Sequence, residues 1–322
     1  MKILITGGSG FIGTNIVQYY IEKGYDVLNL DISRPKDKDH IKYWKQVDML
    51  DERSLKEAIT MFAPDYLIHL AARTDLRGNN NIAGYSANYK GTENLIMAIQ
   101  GDTRLKRVVF ASSMLVCKAG YIPNNYDDYA PSTIYGQSKV MMEKAIKEST
   151  ILTTPWIIVR PTSIWGPWGG EPYANLFNFI RQKRYFLIAH KGNTKTCGYV
   201  GNTIWQIDKL LFQANDLLKG KTFYLGDKLP YDMAAWAQEI AMEFNNNKLR
   251  EYPYVLFWLL AVMGDIFLKA GVHFPMTSFR LKNMTTDNLV PLDDLYEITG
   301  PPPYSRIEGI KETIKFLRSM PK

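Results

Sequence analysis

A strand-like apolar run, Lys2–Thr6, passes directly into Gly7-Gly-Ser-Gly-Phe-Ile-Gly13, and an amphipathic helical pattern follows from Ile12 to Glu22. Few chain paths accept that arrangement. Glycines at 7, 10 and 13 let the backbone turn tightly off a strand end, present its N–H groups to a pyrophosphate, and pack closely against the sheet. The spacing is G-x-x-G-x-x-G, not G-x-G-x-x-G, so its meaning comes from its placement between strand and helix. The expectation is a dinucleotide loop whose contacts come from Gly7, Gly10, Phe11, Ile12 and Gly13.

The same unit recurs down the chain. Apolar bursts at Asp26–Leu30, Tyr66–Leu70, Arg107–Ala111 and Trp156–Arg160 have the length of strands buried on both faces, and helical patterns lie between them at Ser54–Phe62, Ala87–Ile99 and Tyr135–Glu148. Repeated β-α units predict an α/β fold with a Rossmann-type doubly wound parallel sheet and right-handed crossovers. After Pro161 the pattern changes to a Trp165-Gly-Pro-Trp-Gly-Gly170 cluster and a helix over Pro172–Gln182. A helix near Asn202–Leu217 and a strand near Thr222–Leu225 are expected to return to the first domain, and a last helix lies near Glu308–Arg318. The reading is therefore a dinucleotide domain, 1–165 plus about 202–229, and a smaller, discontinuous α/β substrate lobe, about 166–201 plus 230–322. No internal repeat or Gly/Ser/Pro-rich linker separates them.

Asp31 ends the second strand in VLNLD. There a carboxylate accepts hydrogen bonds from ribose hydroxyls and repels a 2′-phosphate, which favours NAD over NADP, with Arg34 three residues on as the opposing feature. Asp48 and Met49, at the end of QVDML, either line the adenine or form a plain strand-to-loop junction.

Tyr135-Gly-Gln-Ser-Lys139 carries the chemistry. Four residues apart on a helix, phenol and ammonium share a face, so the cation favours the ionised phenol, which otherwise titrates near about 10. Upstream, Phe110-Ala-Ser-Ser113 closes a strand and sets hydroxyls at the carboxyl edge of the sheet, where Ser113 reaches the substrate oxygen.

Taken in order, the glycine loop, Asp31, His69-Leu-Ala-Ala72, Asn88 with Gly91-Thr92, Ser112-Ser113, Tyr135/Lys139 and Arg160-Pro161 to Gly166-Pro167 resemble the extended short-chain dehydrogenase/reductase family, in its NAD-dependent nucleotide-sugar epimerase/dehydratase branch. The likeness is close over the first 170 residues and loose beyond. It implies that Tyr135 exchanges the substrate hydroxyl proton, Ser113 steadies the oxygen and Lys139 also holds the nicotinamide ribose. Leu70, Ala71 and Ala72 join the cofactor contacts, and Arg73, Ser112, Ser113, Thr162, Ser163 and Asn175 the substrate side. His69 reads as a packing residue and Asn88 as a support.

Dehydratases of the family carry an Asp-Glu pair directly after the active-site hydroxyl residue. Here Met114-Leu115 stand there, which argues against dehydration. An epimerase or dehydrogenase acting on a nucleotide sugar fits Pro172-Tyr-Ala-Asn-Leu176, although Ser163, Cys117, Lys118 and Cys197-Gly198 replace residues usual in that branch. The alternatives are a three-beta-hydroxysteroid-type or other apolar alcohol dehydrogenase, drawn from Tyr252–Gly271, and a non-catalytic NAD-binding regulatory protein. The intact Tyr135/Lys139/Ser113 set argues against the latter.

Charge and cysteines narrow the partners. A formal net charge of +7 comes from basic residues scattered along the chain, which read as solvated surface and not as a nucleic-acid site. Cys117 and Cys197 lack disulfide or metal-ligand spacing, so no metal is expected. The first residues enter a strand at once and lack an apolar leader pattern, so the expected location is cytoplasmic, and a homodimer through the helices Ala87–Ile99 and Tyr135–Glu148 is expected from the family. One stretch stands apart: YVLFWLLAVM, Tyr254–Met263, running on into IFLKAG, is too short to span a bilayer and reads first as a buried helix. Membrane-surface contact or an apolar substrate pocket are its alternative readings.

Overall fold

The computed structural model describes residues 1–75, 81–189, 193–214, 218–246, 248–269, 271–272 and 274–320. The first part alternates β1 (Lys2–Thr6), α1 (Phe11–Glu22), β2 (Asp26–Asp31), β3 (Trp44–Gln46), α2 (Glu52–Phe62), β4 (Tyr66–His69), α3 (Ser86–Ala98), β5 (Arg107–Ala111), α4 (Ile134–Lys147) and β6 (Trp156–Pro161). There follow β7 (Ser163–Trp165), α5 (Tyr173–Arg181), β8 (Leu187–Ala189), β9 (Thr194–Lys195), β10 (Cys197–Tyr199), α6 (Val200–Phe212) and β11 (Thr222–Leu225). The chain closes with β12 (Tyr231–Asp232), α7 (Met233–Glu243), β13 (Glu251–Pro253), α8 (Tyr254–Lys269), α9 (Ser278–Thr285), α10 (Asp293–Thr299) and α11 (Arg306–Ser319). Leu217, the expected end of the helix that becomes α6, lies outside the described residues.

Seven strands form one sheet in the order β11-β6-β5-β4-β1-β2-β3, every neighbouring pair parallel. This is the Rossmann-type doubly wound sheet expected from the sequence. Period-two alternation divides its side chains between two cores: Ile3, Ile5, Ile68, Val109 and Val159 enter the one shared with α1 and α6, while Leu4, Leu67, Phe110 and Ile158 enter the one beneath α2, α3 and α4. The order reverses between β1 and β4, so the loops after those strands open a crevice at their carboxyl ends. The Gly7–Gly13 loop follows β1 at that edge, and Ser112 and Ser113 follow β5.

Beyond β6 the short strands pair off as β7 with β10, β8 with β13 and β9 with β12. They surround an aromatic core in which Trp165 lies 5.2 Å from both Tyr199 and Trp236, ring centre to ring centre. Asn15 on α1 donates to the Pro167 carbonyl at 2.9 Å, which ties the Trp165–Gly170 turn down beside the glycine loop.

The apolar stretch needs a correction. It does form a helix, α8, but the helix is not buried: only Phe257, Ala261 and Gly264 are, while Val255, Trp258, Leu259 and Ile266 keep half or more of their surface in solvent. Hydropathy records the tendency to leave water, and among the described residues only the Phe257, Ala261 and Gly264 face of the helix is covered.

Candidate active site

Gly7 adopts the left-handed φ of +73°, and a Cβ at Gly13 would lie 2.1 Å from the Gly7 carbonyl oxygen. No larger residue fits at Gly13. The loop is further pinned by Asp31, whose Oδ2 accepts the Ser9 N–H at 3.0 Å and whose Oδ1 accepts the Ser33 N–H at 2.8 Å. The carboxylate is thereby aimed by backbone on both sides, at the end of β2 where an adenosine ribose lies in this architecture. Calorimetric titration should show NAD binding at least about tenfold tighter than NADP, roughly the 1.4 kcal/mol expected when a like-charge contact replaces hydrogen bonds. Equal or tighter NADP binding would mean that Arg34 governs the site.

Phe11 and Ile12 open α1 directly behind the loop. Leu70, Ala71 and Ala72 follow β4, with the Leu70 N–H on the Thr6 carbonyl at 3.0 Å, so this segment faces the glycine loop across the switch point. Met49 is buried, whereas Asp48 is exposed and caps its own turn through the Leu50 N–H.

His69 is fully buried between Thr6 Oγ, 2.7 Å from Nδ1, and Thr92 Oγ, 3.0 Å from Nε2. Because Thr92 donates to the Asn88 carbonyl, it accepts from His69, which places the ring proton on Nε2. Burial, reinforced by the nearby Lys139 charge, drives the imidazole down to about 3. It stays neutral, in keeping with a packing residue. Asn88 spans Arg73 in both directions, accepting its N–H at 2.7 Å and donating to its carbonyl at 3.0 Å, and also donates to Ser138 on α4. It therefore bonds main chain beside α4.

Thr133 caps α4, accepting the Gly136 N–H at 3.0 Å, and presents Tyr135 in the first turn. Here glycine is required by proximity: a Cβ on Gly136 would meet the Leu115 carbonyl oxygen at 2.2 Å. The helix start thus presses on the turn Met114–Val116, whose cap is Ser113. The Tyr135 phenol meets the Ser113 hydroxyl, Lys139 reaches the Ala111 carbonyl two residues before Ser113, and all three side chains are nearly inaccessible.

The electrostatics differ from the simple reading of the spacing. Burial pushes the Tyr135 phenol up to about 12, and the opposing pull comes from the Ser113 hydroxyl, not from Lys139. Lys139 instead donates to the Ala111 carbonyl at 2.7 Å, and its ammonium is drawn down to about 7 by burial, with Glu143 one turn along opposing. Desolvation outweighs the helix-spacing attraction.

Glu143 was not visible as a site residue, although it lies four residues past Lys139. Arg160 grips it with two parallel bonds of 2.8 Å, both side chains wholly buried, and Tyr129 donates to it at 2.9 Å. Burial would raise the carboxyl, but Arg160 holds it below the usual range. This pair bolts α4 to β6 and keeps a negative charge within reach of Lys139.

The substrate-side residues are less convergent. Ser112 is buried behind Ser113, and Thr162 spends its hydroxyl on the Leu225 carbonyl at 2.7 Å. Ser163 opens β7, and Asn175 is half-buried in the first turn of α5. Arg73 forks onto Asp75 and reaches the Gly84 carbonyl, so those donors serve the protein itself. Among the described residues no cluster of three His, Cys, Asp or Glu is arranged to hold a metal.

A dinucleotide loop at the switch point of a Rossmann sheet, with a tyrosine, lysine and serine gathered at its edge, defines an extended short-chain dehydrogenase/reductase. Residues 3–202 match the model of the NAD dependent epimerase/dehydratase family. The chain belongs to that family and is an NAD-dependent enzyme. It is 24% identical over 98% of its length, and 95% of the other protein's, to the N-acetyl-alpha-D-glucosaminyl-diphospho-ditrans,octacis-undecaprenol 4-epimerase of Escherichia coli O157:H7. A 3-beta-hydroxysteroid dehydrogenase of Mycolicibacterium neoaurum is 27% identical over 75% of this chain and 69% of its own. The solved UDP-glucose 4-epimerase of Thermus thermophilus, in complex with NAD, superposes with a TM-score of 0.73 at 18% identity, covering 99% of each chain.

Proposed function

We propose that this enzyme inverts a secondary hydroxyl of a sugar attached to a diphosphate, with a nucleotide sugar as the substrate class. The observation that carries the reading is the buried set of Tyr135, Ser113 and Lys139 at the switch-point crevice. The relative matched over nearly its whole length acts on a diphosphate-linked sugar, which supports the same choice here. Asn175, near the N-terminus of α5, is the proposed diphosphate contact, with Thr162, Ser163, Ser112 and Arg73 around the sugar.

In this mechanism Tyr135 Oη takes the proton of the substrate hydroxyl and later returns it. Ser113 Oγ holds the same oxygen in line. Lys139, anchored on the Ala111 carbonyl, contributes cationic charge when protonated and a donor to the cofactor ribose. Bound at the glycine loop, NAD would supply the reversible hydride-acceptor chemistry, and its positive charge would favour ionisation of the Tyr135 phenol that burial keeps protonated. Tyr135 and its neighbours exclude water, which protects the ketone formed between the two half-reactions.

The glycine loop, Asp31, Asp48, Met49 and Leu70–Ala72 make up the proposed cofactor contacts. The division into a dinucleotide domain, 1–165 with about 202–229, and a substrate lobe accounts for β11 lying beside β6. A homodimer through α3 and α4, on which Met97 and Met141 stay exposed, and a cytoplasmic location where the two buried thiols remain reduced complete the proposal.

Incubation with UDP- and GDP-sugars, following NADH absorbance while sugar epimers are resolved by chromatography, tests the reaction. The expected result is epimer interconversion with no net NADH, because the hydride returns to the same molecule. Stoichiometric NADH release would instead identify a dehydrogenase, and turnover confined to sterol-like alcohols would establish the hydroxysteroid reading. The exposure of α8 weighs against that last outcome, since a wall of an apolar substrate pocket would face inward.

A further inference from the structure

The fold leaves α8 with one wet apolar side. Its buried face, Phe257, Ala261 and Gly264, rests on α9, β8 and β13 in a small cluster separate from the two main cores. At helical spacing, Val255, Leu259, Val262 and Ile266 form a stripe on the opposite face, flanked by Trp258, Met263 and Phe267, all exposed. Phe279 on α9 and Val272 between the helices extend the patch. Soluble monomers rarely expose a contiguous apolar surface of this kind without a partner.

The charges around the patch identify that partner. Segments 181–184 and 248–282 hold eight lysines and arginines, every one exposed, against two carboxylates. Pairing of β8 with β13 sets Glu251 opposite Leu187, whose N–H donates to the Arg250 carbonyl at 2.8 Å, so the basic residues of 181–184 and 248–250 gather at one end of α8, while Lys269 ends the helix and Arg280 and Lys282 sit on α9. Of the two carboxylates, Asp265 is already engaged by the Ser278 N–H at 3.0 Å. A second copy of this chain laid on the same face would bring eight cations against eight, which opposes a symmetric dimer there. At 16 residues α8 is too short to cross a bilayer, and among the described residues no helix is long and apolar enough to do so.

We infer that α8 lies in the surface of a membrane containing anionic lipid, its Val255–Ile266 stripe and Trp258 sunk among the acyl chains and its flanking lysines and arginines on the headgroups. Past α9, Asn288 bridges to Lys195 of β9 and its Nδ2 lies 4.0 Å from the sulfur of Met114, the residue after Ser113, so the chain that leaves α9 runs past the turn that follows Ser113. The binding itself is independent of which sugar diphosphate is turned over.

Co-sedimentation of the full chain with vesicles tests the inference, using phosphatidylcholine alone or mixed with phosphatidylglycerol. The mixed vesicles should pellet most of the protein at low salt, several-fold more than neutral vesicles, and binding should fall as salt rises. The double variant Leu259→Glu/Ile266→Glu should lose binding by about tenfold or more, because both substitutions place charge in the apolar stripe. Both positions are exposed, so its thermal midpoint and its turnover of a soluble nucleotide sugar should match the parent. Failure of the parent to sediment with anionic vesicles, or undiminished sedimentation of the double variant, would overturn the inference. A dimer in light scattering that the double variant abolishes without any vesicle binding would assign the face to a second copy instead. Inactivity of both proteins on nucleotide sugars, with sedimentation intact, would count against the proposed reaction alone.

Discussion

Replacing Tyr135 by Phe should lower turnover by about 10³-fold while leaving the affinity for NAD within about twofold of the parent, the range expected when a positioned acid/base is removed without disturbing its surroundings. The phenol is almost wholly buried, and its ring lies 6.4 Å from that of Tyr85, so the aromatic body keeps its packing when only the oxygen is lost. Calorimetry for cofactor binding and initial rates for turnover separate the two effects. Retention of more than a tenth of the parent rate would remove Tyr135 from the mechanism. A parallel loss of cofactor affinity would mean that the variant had disturbed the crevice, and the rate would then say nothing about proton transfer.

How much of this could be read from residues alone depended on length and on neighbours. β1, β4 and β5 are continuous apolar runs bounded by turns, and such runs have few other fates in an α/β chain. β3 was missed because it has three residues and two of them, Lys45 and Gln46, are exposed at the sheet's edge. The strands outside the seven-stranded sheet are equally short, two or three residues each, and give no usable alternation.

Within the site, local spacing singled out Tyr135, Lys139 and Ser113, and the helix and strand end on which it set them are the α4 and β5 of the fold. What spacing could not supply was the dielectric. Lys139 lies on the proper face, yet burial, which depends on α3, β5 and the turn after Ser113, sets the protonation of both groups. Glu143 was overlooked for a related reason: it stands one turn past Lys139, but its importance comes from Arg160, distant in sequence and brought to it only by the packing of α4 on β6. For α8, composition registered the hydrophobicity, while the question of which surface covers it belongs to a partner outside the chain.

Lys139→Met should stop catalysis and, at the same time, stabilise the nucleotide-free protein on the acid side of neutrality. The sign follows from the two protonation states. Burial brings the folded lysine down to about 7 from an ordinary 10.5. Below pH 7 both folded and unfolded chains carry the charge, and the folded one bears the full cost of burying it. Between 7 and 10.5 the folded protein sheds a proton that the unfolded chain keeps, so stability rises with pH through that window, and above it the cost is gone. Methionine fills nearly the same volume without charge. It also leaves the Ala111 carbonyl without its 2.7 Å donor, a loss of about 1 kcal/mol. The variant should therefore be more stable than the parent by about 2–4 kcal/mol at pH 6 and roughly equal to it near pH 10. Thermal unfolding at the two pH values, with turnover measured alongside, checks both halves. An identical stability difference at both would show that the Lys139 ammonium does not titrate in the window, and appreciable turnover in the variant would show that its charge is dispensable to Tyr135.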